Sequence, residues 1–230
     1  MTTFLLPGEK ELFFLINGAH TPFMDGVMWL YSGMEIWMPL AVALLFTATY
    51  KKSWREWVVI LLSFVVLALV CDFVSAGLLK PLVQRPRPTG FPGVAEFVRI
   101  LGERKIDSGS YGFISGHSTQ CFAIAMFSSL IFRKRLYTGV AFCWALVMGY
   151  SRIYLGAHFP GDVLGGMVAG ILLAYGVYKL YRLIVAAGAK KGIFRPTVYT
   201  DDRIRDFSLG IIGYIILFSL LSPWLVPLLK

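Results

Sequence analysis

Long apolar runs separated by short polar connections dominate this chain, and their lengths predict helices that cross a membrane. A spanning α-helix needs about 20 mostly apolar residues. Six stretches qualify: one ending near Tyr50, then 57–79, 116–132, 136–155, 160–181 and 207–229. Pro223 and Pro227 are expected to kink the last of them. Thr21-Pro22 pairs an N-cap residue with proline at the first helical position. One helix from there to Tyr50 is too long for an upright span, which leaves a tilt or a break near Gly33. Residues 8–19, G-E-K-E-L-F-F-L-I-N-G-A, read as a short interfacial helix, so that 1–33 form an interfacial N-terminal segment.

Two polar connections are long. Residues 182–206 read as a cytoplasmic linker to the last helix, and 80–116 form a second, richer loop. Within that loop Val94, Phe97, Val98 and Leu101 follow helical spacing, with Glu96, Arg99, Glu103 and Arg104 opposite. This spacing predicts a short amphipathic helix on the membrane surface, with a cap over a substrate as the alternative. The expected fold is an all-α integral-membrane bundle of about six transmembrane helices, a single domain over 1–230.

Composition agrees with the pattern. Hydrophobic residues make up 57% and charged residues 15% of the chain, against about 25% charged in soluble domains. The net charge of +9 does not point to nucleic acid, because the basic residues fall in short connections and form no stripe interleaved with aromatics. Lys51, Lys52, Arg55, Arg133, Lys134, Arg135, Lys179, Arg182, Lys190, Lys191, Arg195, Arg203 and Arg205 lie on one side, thirteen in all. Nine lie on the other: Lys10, Lys80, Arg85, Arg87, Arg99, Arg104, Lys105, Arg152 and Lys230. The positive-inside rule puts the first set in the cytoplasm. Cys71, Cys121 and Cys143 fall within apolar segments without metal-ligand spacing and read as thiols packed in the bilayer. The first residues carry neither a basic region nor a small-residue cleavage site, so no removable signal peptide is expected.

With this topology three polar clusters share the outer face: K-P-L-V-Q-R-P-R-P at 80–88, Y-G-F-I-S-G-H-S-T at 111–119 and S-R-I-Y-L-G-A-H-F-P-G-D at 151–162. Ionisable groups beside a bilayer core are costly and point to function. Arginine forks grip two phosphate oxygens at once and lysine adds a compact charge, so Lys80, Arg87 and Arg152 suit a tetrahedral oxyanion. Ser115-Gly116 opens a helix whose free amides form an anion nest. His158 lies four residues before Asp162. That carboxylate can fix one ring nitrogen and leave the other as a nucleophile, while His117 can protonate a leaving oxygen. The chemistry expected is phosphoryl transfer to His158 followed by attack of water, with the cations neutralising charge and no metal or cofactor needed.

Bland readings apply to other residues. Gly161, Gly165, Gly166 and Gly170 have the spacing of close helix packing. His20 reads as interfacial. Asp72, two turns before Lys80 and too far along the helix to touch it, receives no role.

The three clusters resemble the signature of the type-2 phosphatidic acid phosphatase superfamily. Lys80, six residues, Arg87-Pro88 matches its first motif, Ser115-Gly116-His117 its second, and Ser151-Arg152, His158 and Asp162 its third. Ile114 replaces the proline that opens the second motif, which is expected to loosen that turn. The resemblance implies a six-helix membrane bundle, with His158 as phosphohistidine nucleophile, Asp162 as its orienting partner and His117 as general acid. Lys80, Arg87, Arg152, Ser115 and Gly116 would hold the phosphate; Arg85, beside the motif, would reach a second phosphate or a headgroup. The substrate implied is a membrane lipid phosphate or diphosphate, cleaved on the outer face of a bacterial-type inner membrane, with no obligatory protein partner. Undecaprenyl diphosphate is the leading candidate, and lipid A, phosphatidylglycerophosphate and phosphatidic acid are the alternatives. Transfer to another lipid, or anion transport without hydrolysis, are the competing activities.

Overall fold

The structure is a computed structural model that describes residues 4–101, 110–194 and 199–229. Among these the chain is helical, with one isolated β-bridge between Pro86 and Tyr111. The helices are α1 (Glu9–Asn17), α2 (Pro22–Tyr31), α3 (Met38–Thr49), α4 (Trp54–Asp72), α5 (Lys80–Val83), α6 (Gly116–Phe132), α7 (Arg135–Tyr154), α8 (Pro160–Lys190) and α9 (Asp201–Leu229). Among the described residues, three helical rods are long and apolar enough to cross a membrane: Trp54–Val83, Pro160–Lys190 and Asp201–Pro227. A fourth joins them if α2 and α3 count as one broken span. The sequence reading of six also counts α6 and α7. At 17 residues α6 is short, and it packs against α7, α8 and α4 with most of its length buried, which relieves it of the need to be apolar all round.

The break that the sequence left open is real. The α2 and α3 segments meet at 70°, with Pro39 in the first turn of α3, where its missing N–H does no harm. α4 starts on a capping box: Glu56 N–H donates to Ser53 Oγ, and Ser53 N–H donates to Glu56. α8 and α9 are longer than read from the pattern, reaching Lys190 and starting at Asp201, so the linker expected over 182–206 shrinks to the residues between them. Polar residues such as Arg182 and Arg203 fit on helix ends outside the apolar stretch. α9 runs on through Pro223 and Pro227.

Packing in lipid depends on close backbone approach, since acyl chains are as apolar as leucine. The α8 glycines supply it: a Cβ on Gly170 would lie 2.2 Å from the Thr119 carbonyl oxygen, and one on Gly166 2.7 Å from that of Ser115. α9 and the segment leading into it are tied to α3 and its approach by hydrogen bonds from Tyr214 to the Ile36 carbonyl and from Tyr199, just before α9, to that of Ala48.

The amphipathic helix expected at 94–101 is absent. Only the 3-10 turn Ala95–Phe97 forms, after Gly93 in the left-handed region at φ 70°. The Asn17 side chain explains why: it accepts from Arg99 N–H and donates to Arg99 C=O, both at 2.9 Å, holding that backbone outside any helix. Glu103, Arg104, Lys105 and Arg195 lie outside the described residues. Beneath this loop Phe13, Phe91, Val94, Ile153, Phe159 and Val163 form a small apolar cluster of their own. α1 is therefore more than an interfacial strip; its Phe13 is fully buried against Phe159.

Candidate active site

Local backbone bonds bring the three polar clusters together. After α5 the chain reverses at Gln84, in the left-handed region at φ 52°. The Pro86–Tyr111 bridge and a 2.7 Å bond from Gly112 N–H to Arg85 C=O then join the first cluster to the second. Ser115 N–H donates to Asp162 C=O at 2.9 Å, and Ser118 Oγ donates to Val163 C=O, which joins the second to the third. Ile114 is buried, and the next residue, Ser115, is tied to Asp162 through that backbone bond. Past α7, the amides of Ala157 and His158 both donate to Arg152 C=O, folding the chain back at Gly156. Gly156 is needed there twice over: its φ is 73°, and a Cβ would sit 2.7 Å from Val98.

The result is a cavity of about 540 Å³ with Lys80, Arg87, Gly116, His117, Arg152 and His158 on its wall. Arg152 is braced by the Ser32 hydroxyl at the end of α2, and Arg87 donates to Ala157 C=O at 3.4 Å. At the start of α6 no acceptor among the described residues takes the amides of Gly116 and His117. Three cations and two free amides at one end of a cavity fit a phosphate. Burial, reinforced by the charges of Arg87, Arg152 and Lys80, holds the His158 ring well below the ordinary histidine range. The ring is thus neutral, the form in which a nitrogen lone pair is available.

Three expected site residues lie behind the wall rather than on it. Ser115 is fully buried and caps α6, its Oγ accepting from Ser118 N–H. Asp162 is fully buried, and its Oδ2 stands 3.5 Å from His158 Nδ1. That is longer than a hydrogen bond, and Nδ1 has no well-formed partner. The shorter bonds of the carboxylate go elsewhere: Oδ2 accepts from Phe159 N–H at 3.0 Å and Oδ1 from Arg85 at 2.9 Å. Arg85 does not face the cavity. Its guanidinium is buried between Asp162 and Glu9, 4.8 Å from the Phe159 ring centroid, which corrects the expectation of a second-phosphate ligand.

Glu9 went unnoticed in the sequence. It is buried, accepts from Arg85 Nη2 at 2.8 Å, from Gly161 N–H at 2.7 Å and from Leu6 N–H at 2.8 Å, and so caps α8 from another part of the chain. No local signal marks such a contact, because its partners lie 76 and 152 residues away. Gly112 was also missed; a Cβ there would press on Asp162 Oδ2 at 3.0 Å.

An all-helical membrane bundle with cations and two histidines around one cavity defines a class of phosphate-handling membrane enzyme. The sequence signature of the PAP2 superfamily matches residues 57–185, and the chain belongs to that superfamily as a membrane phosphatase of the lipid-phosphatase type. A "Lipid A 4'-phosphatase" of Porphyromonas gingivalis is 34% identical over 99% of this chain and 96% of its own length. An "Undecaprenyl-diphosphatase" of Sulfolobus acidocaldarius is 29% identical over 74% of this chain and 80% of its own. Among solved structures, that of Aquifex aeolicus LpxE superposes with a TM-score of 0.55 at 26% identity, covering 74% of this chain and 93% of the other.

Proposed function

We propose that the protein hydrolyses a phosphate ester of a lipid A-type glycolipid through a phosphohistidine, on the outer face of a bacterial-type inner membrane. The observation that carries this reading is the similarity to a lipid A 4'-phosphatase along almost the whole of both chains. It displaces undecaprenyl diphosphate as the leading candidate, since similarity to an undecaprenyl-diphosphatase is lower and less extensive. The surplus of basic residues on the opposite connections supports the orientation.

In this reading His158 Nε2 attacks phosphorus and the P–O bond to the sugar breaks. The leaving oxygen takes a proton from the His117 imidazolium, which the negative charge of the bound phosphate stabilises. Water then passes a proton to neutral His117 as its oxygen attacks the phosphohistidine, the P–N bond breaks, and inorganic phosphate leaves. Lys80, Arg87, Arg152 and the Gly116 and His117 amides stabilise the phosphoryl oxygens. Asp162, its Oδ2 3.5 Å from His158 Nδ1, is placed to steady the imidazole. Arg85 fixes the carboxylate, and Glu9 fixes Arg85.

The test is phosphate release by the full-length protein in detergent from lipid A, undecaprenyl diphosphate, phosphatidylglycerophosphate and phosphatidic acid, with the lipid A product mapped by mass spectrometry. Lipid A is expected to give the highest kcat/KM; faster release from undecaprenyl diphosphate overturns the assignment.

The state of His158 adds a pH prediction. Only its neutral form attacks, and its pKa is lowered, so the acid limb of kcat/KM due to this ring lies below about pH 6.5. Arg87→Gln removes a repelling charge, raises that pKa and moves the limb to higher pH. Comparing the two proteins on one substrate cancels the ionisation of the substrate itself. A limb that stays in place disconnects it from His158.

A further inference from the structure

The wall of the cavity does not stop at the phosphate end. Below Lys80 it continues through Ser75 and Ala76 to Asp72, and below His117 through Gln120 to Ile124, before ending among Trp144, Tyr137 and Phe207. Residues Phe73–Leu79 form a π-helix, and positions 72, 76 and 80, spaced four apart, share the face that lines the cavity. At about 1.5 Å per residue Asp72 lies at most roughly 12 Å below Lys80 along the axis, and Gln120 roughly 4.5 Å below His117. Asp72 is thus a carboxylate inside a spanning helix, exposed toward the cavity. Among the described residues no ion pair within 4 Å includes it, Lys80 included. An ionisable group kept at that depth has a function by default. It is not a ligand for phosphate, which it repels, and hydrocarbon laid against it would strip its water without compensation.

We propose that Asp72, with Gln120 above it, forms a polar subsite that accepts a hydrogen bond from an N–H or O–H of the substrate below the scissile phosphate, selecting phosphorylated saccharide lipids over polyprenyl phosphates. A saccharide with amide-linked acyl chains presents such donors at this depth, whereas a polyprenyl diphosphate presents hydrocarbon. The inference deepens the function proposed above and rests on its placing of the phosphate at the cationic end.

The experiment compares kcat/KM for lipid A and for undecaprenyl diphosphate in the wild type, Asp72→Ala and Asp72→Asn. A hydrogen bond to a charged acceptor carries a factor of about ten or more, so the lipid A to polyprenyl ratio is expected to fall at least about tenfold in Asp72→Ala. Asp72→Asn, which keeps an acceptor oxygen and the side-chain shape, is expected to move the ratio the same way by a smaller factor, and it serves if the alanine variant does not fold. An unchanged ratio in a protein whose wild type prefers lipid A overturns this subsite and leaves the proposed function standing. A wild type that prefers the polyprenyl substrate overturns both.

Discussion

His158→Asn is expected to lower kcat by at least about 10⁴-fold, the scale on which removal of a nucleophile acts, while the protein still binds lipid phosphate. Asparagine fills much of the same space, so the buried loop between α7 and α8 keeps its packing. The cations proposed to hold the phosphate are untouched, because Lys80, Arg87 and Arg152 come from other parts of the cavity wall. Acid-sensitive label from a radioactive phosphate ester should appear on the wild type during turnover and be absent from the variant. Activity above about 1% of wild type with label still on the protein would remove His158 from the nucleophile's role.

Arg85→Ala is expected to destabilise the protein by about 3–5 kcal/mol, the cost of removing one partner from a buried ion cluster. The change leaves Glu9 and Asp162, 4% and 0% exposed, facing each other without the cation between them. Two buried carboxylates with only backbone N–H donors to offset their charges cost more than the bonds they lose. Glu9→Gln in the same protein should recover part of the loss, since one unpaired charge is then gone; thermal unfolding of the four proteins in detergent gives the coupling. An Arg85→Ala protein that melts like the wild type and loses activity on diphosphates alone would return Arg85 to the substrate.

These expectations differ in how far the sequence supports them. Lys80, Arg87, His117, Arg152 and His158 were legible because each is an ionisable group at the end of an apolar run, where its cost stands out. The break between α2 and α3 was legible as an alternative, from span length alone. Glu9 and Arg85 were not: one sits in an ordinary acidic helix start and the other beside a motif, and only their burial together reveals what they hold. The helix expected at 94–101 failed for a related reason. Its periodicity was local, but Asn17, far away in sequence, takes the backbone of Arg99. Asp72 was visible as an acid in an apolar segment, yet what its face meets could not be read, since the cavity is lined by residues from several helices distant in sequence.

The sequence by itself determined that the chain is a helical membrane protein carrying cationic and imidazole groups at helix ends, because hydrophobic run length and the price of charge near lipid are local properties of the chain. Only the tertiary structure decided which of those groups reach the cavity. Ser115, Asp162 and Arg85 turn inward to caps and an ion cluster, Asp72 and Gln120 line the cavity, and α9 supplies Phe207 to its far end. The physical reason is that a side chain's direction is set by how helices pack and by partners distant in sequence, and neither is written in the residues next to it.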